Sequence, residues 1–146
     1  MAFNRMDQLY RAVIMERSAS PKYQGVIDDA THHYTLLNPS CGDTVIVYLS
    51  VNSEGIVEAI RFNGEGCAIS IASADIMAEV LMGQSLSDAR EIVNDFNLLV
   101  QGKLTNGAAH LGEAQALAGV AQFPARIRCA QLAWKAFELA LDSSND

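Results

Sequence analysis

The chain holds three cysteines, Cys41, Cys67 and Cys129. Each stands at a Gly- or Pro-punctuated break or just inside an expected helix start. Cys41 lies in Asn38-Pro39-Ser40-Cys41-Gly42-Asp43, Cys67 follows Gly64-Glu65-Gly66, and Cys129 follows Phe123-Pro124-Ala125-Arg126-Ile127-Arg128. Cysteines that only pack usually sit inside apolar runs. At a helix start, free N–H groups and the helix dipole favour a thiolate instead. Three thiolates and one carboxylate, Asp43, make a four-ligand set for zinc. Side chains at i and i+2 of an extended segment point the same way, so Cys41 and Asp43 can face one metal. Gly42 between them lets the backbone turn closely. An oxygen ligand is harder and more easily exchanged than a fourth sulfur. A thiolate released from a metal is already a nucleophile. Spacing alone leaves two other readings open, a purely structural zinc site and three unrelated cysteines, because the gaps are long and no Cys-x-x-Cys pair exists.

These residues need a scaffold that brings distant segments together. The 146 residues are 50% hydrophobic and 18% charged, which suits one folded domain spanning 1–146 and argues against disorder. A formal net charge of -7 argues against a nucleic-acid partner, which would want a basic patch. No apolar run approaches the roughly 20 residues of a membrane span. Met1 to Tyr10 mixes Arg5, Asp7 and Gln8 with apolar residues, unlike a secretory signal. An odd number of cysteines suits a reducing compartment, so the expected location is the cytoplasm.

Periodicity predicts a helix over Asn4 to Arg17, with Met6, Leu9, Tyr10, Val13 and Ile14 as its apolar stripe, ending before Pro21. A loop over Tyr23 to Ala30 leads into three antiparallel strands: His32 to Leu37, Thr44 to Val51 and Ile56 to Phe62. The turn Asn52-Ser53-Glu54-Gly55 joins the last two, and Ile56, Ile60 and Phe62 share one face. A helix over Cys67 to Met82 carries Ile69, Ala72, Ile76 and Val80, with Gly83 as its stop. Ser85 to Asp88 reads as a capping box for a helix bearing Leu86, Ala89, Val93, Phe96 and Val100. Lys103 to Gly112 reads as loop and Glu113 to Ala121 as a short Ala-rich helix. A last helix starts at Pro124 with Ile127, Ala130, Trp134, Phe137 and Leu141 buried. The tail from about Asp142 is expected to fray. The expected class is α+β: a three-stranded antiparallel sheet with about five helices packed mainly on one face.

The three cysteine segments together resemble the SufU branch of the U-type iron–sulfur assembly proteins, within the IscU/NifU N-terminal-like superfamily. The likeness runs from Leu9-Tyr10 to Trp134-Lys135-Ala136. It is carried by Asn38 to Asp43, by Phe62-Asn63-Gly64-Glu65-Gly66-Cys67-Ala68-Ile69-Ser70 and by Phe123 to Ala130. IscU-like scaffolds carry a His beside the third cysteine, where this chain has Arg128, and they lack most of the stretch present here at about Thr105 to Gln122. Both departures point to the SufU branch.

The resemblance implies a fold of the expected class and zinc bound by Cys41, Asp43, Cys67 and Cys129. It implies a partner, a pyridoxal-phosphate cysteine desulfurase of the SufS type, alongside other assembly components. A desulfurase His would displace one cysteine from zinc, and Cys41, as the catalytic nucleophile, would take the persulfide sulfur. The alternative that it implies is a scaffold building a transient [2Fe–2S] cluster on the same residues; the sequence leaves the resting metal, zinc or iron, open. Whether the chain is a zinc-dependent sulfurtransferase or a non-enzymatic scaffold stays open at this point. Arg126 and Arg128 are candidates for supporting anionic sulfur or contacting the partner, with a solvated helix start as the plain alternative.

Other polar residues read as structural. His32 and His33 point to opposite faces of a strand, and His110 and Glu65 read as exposed. Asp28-Asp29 reads as a solvated turn, and Met77 and Met82 read as core filler.

Overall fold

The computed structural model describes residues 5–39, 42–104 and 107–142, with side chains from Gln8 onward. The elements are α1 (Arg5–Ala19), β1 (His32–Asn38), β2 (Asp43–Val51), β3 (Val57–Glu65), α2 (Ala68–Leu81), α3 (Leu86–Val100), a 3-10 segment (Ala109–Gln122) and α4 (Pro124–Asp142). The sheet is antiparallel in the order β1-β2-β3. Strict alternation in β2 buries Val45, Val47 and Leu49 against the helices and leaves Thr44, Ile46, Tyr48 and Ser50 half-exposed. The helices collect on the buried face, giving the expected α+β layering.

One strand departs from expectation. The β2–β3 register shifts between Ser50 and Val51. That irregularity carries the chain past a period of two, so Val57 enters the core with Ile60 and Phe62. Ile56, expected on the inner face, instead stands outside β3 in a bridge to Ser85. The strand also continues past Phe62, through Asn63 and Gly64 to Glu65.

The helices differ more in burial than in position. In α1, Val13 and Ile14 are buried and Tyr10 is half-buried. Leu9 is exposed, because α1 packs chiefly on α2 and the 3-10 segment. In α2, one apolar stripe was expected; the helix is buried almost all round, while Ile69 and Val80 are only half-buried. It lies between α1, α4, β3 and the 3-10 segment, which leaves no solvent face over most of its length. Gly83 ends it at φ +87°, a conformation that favours glycine. Ser85 caps α3 as expected, its hydroxyl accepting the Asp88 N–H at 3.1 Å. The Ala-rich stretch begins earlier than expected, at Ala109, and is 3-10 with a break at Gly112. Trp134 of α4 lies flat on Phe96 of α3, ring centres 3.9 Å apart.

A buried ion cluster ties three of these elements together. Arg17 of α1, 2% exposed, donates to Asp75 of α2 at 2.7 Å, to Glu79 at 2.9 Å and to Glu113 of the 3-10 segment at 3.0 Å. The other Asp75 oxygen accepts the Tyr23 N–H at 2.7 Å. Burial opposes the Arg17 charge, but hydrogen bonds with Glu113, Asp75 and Glu79 outweigh it and hold the guanidinium protonated. Truncating Arg17 would leave Asp75, 0% exposed, without its countercharge. Arg17→Ala is therefore expected to cost about 3–5 kcal/mol of unfolding free energy, read from the urea midpoint at unchanged m-value.

Candidate metal centre

The site forms where the β1–β2 turn, the end of β3, the start of α2 and the first turns of α4 meet. Asp43 is the first residue of β2 and shares the inward face with Val45 and Val47. The turn before it closes through the Gly42 N–H, which donates to the Asn38 carbonyl at 2.9 Å, with Gly42 at φ +74°. Cys41 and Ser40 lie outside the described residues.

At the end of β3 the backbone of β2 comes very close. A Cβ on Gly64 would stand 2.1 Å from the Thr44 carbonyl oxygen, and Gly64 adopts φ +129°. Only glycine fits there. The chain then turns into α2, with Cys67 as the N-cap residue. The Cys67 side chain makes no cap hydrogen bond to the helix backbone. Its N–H donates to Asp43 Oδ1 at 3.2 Å, and the Ser70 hydroxyl donates to Asp43 Oδ2 at 2.5 Å. The same Ser70 Oγ lies 3.5 Å from Cys67 Sγ. Asp43 is thus oriented by two donors from the first turn of α2.

Cys129 comes from α4 and is 1% exposed. Its depth is set by a neighbouring bond: Ser73 of α2 donates to the Ala130 carbonyl at 2.6 Å and accepts the Trp134 Nε1–H at 2.9 Å. Asp43, Cys67 and Cys129 thereby present one carboxylate oxygen and two sulfurs, all within 4.8 Å of one another. Ligands around a tetrahedral zinc stand about 3.3–3.8 Å apart, given bonds near 2.0–2.3 Å. The donor set therefore fits zinc, which mixed sulfur and oxygen ligands suit, and a dication would offset their combined negative charge in a largely buried setting.

Tyr10 of α1 stands beside this cluster. Burial raises its hydroxyl above the usual phenol value; the Arg126 guanidinium opposes that shift, and the sulfurs of Cys67 and Cys129 add to it. Its ring stacks on Phe123 at 6.4 Å and lies over Gly119, where a Cβ would come within 2.9 Å of it.

The structure thus brings together three of the four expected ligands, and the fourth, Cys41, lies outside the described residues. Arg126 and Arg128 are both exposed on the first turns of α4. Among the histidines, His33 is exposed and His110 pairs with Asp95 at 2.7 Å. Sequence reasoning missed Ser70, Ser73 and Tyr10 as parts of the site. The signal for the serines was available: Ser70 stands three residues after Cys67 on one helix face, and Ser73 interrupts an otherwise apolar helix.

Residues 9–141 match the family described as the NifU-like N terminal domain. The chain belongs to this family. It is of the SufU type, and its relatives make the likeness specific. It is 41% identical over 139 residues to the zinc-dependent sulfurtransferase SufU of Bacillus subtilis, covering 94% of this chain and 93% of that protein. It is 38% identical to the iron–sulfur cluster assembly scaffold protein IscU of Streptococcus pyogenes, covering 99% of this chain and 89% of that one. The crystal structure of FiSufU from thermophilic Fervidobacterium islandicum AW-1 superposes with a TM-score of 0.85 at 32% identity, covering 92% of this chain and 97% of that chain. Among the described residues, no helix is long and apolar enough to cross a membrane.

Groups that orient metal ligands typically matter 10–100-fold for affinity. Ser70→Ala is expected to weaken zinc binding by about that factor, measured by competition with a chromophoric chelator. Its thermal midpoint without metal should move far less than that of Gly64→Ala, which breaks the β2–β3 approach itself.

Proposed function

We propose that this chain is a zinc-dependent sulfur acceptor and relay in iron–sulfur cluster biogenesis, taking persulfide sulfur from a SufS-type cysteine desulfurase in the cytoplasm. The observation that carries it is the convergence of Asp43, Cys67 and Cys129 within 4.8 Å, with Cys41 two residues before Asp43 in the sequence. Similarity to a zinc-dependent sulfurtransferase supports the same reading.

In this proposal Asp43, Cys67 and Cys129 hold the metal and Cys41 completes the set. Zinc, when bound, keeps its sulfur ligands deprotonated and restrains them until one is exchanged. Asp43 is the hard ligand, kept in place by Ser70 and the Cys67 N–H. Cys41 is the nucleophile, two residues before Asp43 in the sequence. Its free thiolate attacks the terminal sulfur of the donor persulfide. A new sulfur–sulfur bond forms on Cys41, the donor's own sulfur–sulfur bond breaks, and the donor cysteine leaves as a thiolate. No oxidant or reductant is consumed in this transfer. Arg126, whose charge acts on Tyr10 beside the cluster, is positioned to favour anionic sulfur there.

A second reading is a scaffold that assembles a [2Fe–2S] cluster on the same ligands, and the likeness to IscU scaffold proteins favours it. Arg128, which stands where IscU-like scaffolds carry a histidine, favours relay.

The test is desulfurase turnover in the presence of a thiol reductant, with and without the zinc-loaded chain. Relay predicts a saturable acceleration that Cys41→Ser abolishes while the variant stays folded. An unaccelerated desulfurase, or a Cys41→Ser variant that still accelerates it, overturns relay. In that case, a [2Fe–2S] absorbance on reconstitution with iron and sulfide selects the scaffold.

A further inference from the structure

A groove of about 320 Å³ opens beside the metal centre, lined by Leu36, Leu37 and Asn38 of β1, by Pro39, and by Arg128, Gln131, Leu132 and Lys135 of α4. Leu36 and Leu37 are consecutive strand residues and point to opposite faces of the sheet. A cavity that touches both must wrap the strand's edge. β1 is an edge strand, hydrogen-bonded to β2 and, among the described residues, to no other strand. Leu36 pairs with the inward Val45 and faces the helix side, while Leu37 pairs with Thr44 on the outer face and is 57% exposed. The groove is therefore the open edge of a sheet with a helix wall.

Its charge is opposite to that of the molecule. The chain carries -7 overall, yet the groove's charged lining residues are Arg128 and Lys135, with no carboxylate among them. Both side chains are exposed, and neither has an ion pair with a described carboxylate within 4.0 Å. Arg128 and Lys135, two turns apart on one face of α4 beside the edge strand β1, suit one kind of occupant.

We propose that this groove binds an extended acidic segment of a partner protein, added to β1 as a fourth strand. The segment's backbone pairs with the outer edge of β1 at Leu36 and Leu37. Its carboxylates, on alternate residues, turn toward Arg128 and Lys135, and the intervening apolar side chains lie along Leu37. The proposal stands on the groove and not on sulfur transfer. It also gives open β-edge groups a use, where exposed edges otherwise invite unspecific pairing.

The test uses the full-length chain and a fluorescein-labelled hexapeptide, Glu-Val-Asp-Val-Glu-Val, read by fluorescence anisotropy. Saturable binding is expected, weakening several-fold between low and physiological salt. It should fall about 10-fold or more in Arg128→Glu and in Lys135→Glu, by analogy with losses at close charge pairs. A peptide with lysines in place of its acidic residues should not bind. A peptide with proline in place of its valines, which cannot donate ladder hydrogen bonds, should lose binding as well. Amide chemical shifts should move at residues 36 and 37 and not along β3. Lys135 is remote in sequence from the ligands, so Lys135→Glu remains decisive if Arg128→Glu disturbs Cys129. Absence of saturable binding, unchanged affinity in Lys135→Glu, or equal binding of the proline peptide overturns the proposal.

Discussion

A helix buried on nearly every side must satisfy each polar group that it carries, and this requirement organises the molecule. Helix α2 holds Ser70, Ser73 and Asp75 within an otherwise apolar run, all buried. Each finds its partner on a different element: Ser70 on Asp43 of β2, Ser73 on Ala130 and Trp134 of α4, and Asp75 on Arg17 of α1 and the Tyr23 amide. An unpaired buried polar atom costs about 1–3 kcal/mol, so these contacts select one arrangement of α1, β2 and α4 around the helix. Apolar packing supplies the bulk of the stabilisation, but hydrophobic contact is not directional. The direction comes from three side chains spaced over two turns.

The metal centre is a consequence of that arrangement. Ser70 orients the carboxylate ligand, Ser73 seats the helix that carries Cys129, and the helix itself starts at Cys67. Two of the three described ligands are therefore positioned by hydroxyls one or two turns along from Cys67.

Much of this was legible in the residues. Alternation in Thr44 to Val51 gave β2, the Asn52 to Gly55 turn gave the hairpin, and the Gly- and Pro-bounded Cys67 and Cys129 are two members of the cluster with Asp43. The register shift at Ser50 was not legible, because a slip belongs to a pair of strands and not to either one. The all-round burial of α2 was hidden for a similar reason: a stripe pattern assumes a solvent face, and its neighbours come from every part of the chain. No local pattern singles out Arg17, Asp75 and Glu113, since Asp75 and Glu113 lie 58 and 96 residues from Arg17. Short-range pattern finds elements and chemically unusual residues, whereas long-range polar pairing has no local signature.

The ligands enter from β2, the start of α2 and the first turns of α4, so the cluster closes only after the last helix has docked. Any partly folded chain offers one or two scattered donors, which bind a divalent ion weakly. Metal retention thus becomes a form of proofreading: it registers completion of the whole tertiary structure rather than the presence of cysteines. A chain damaged at Arg17, outside the cluster, would be marked by its failure to keep the ion, and its exposed thiols would be open to oxidation.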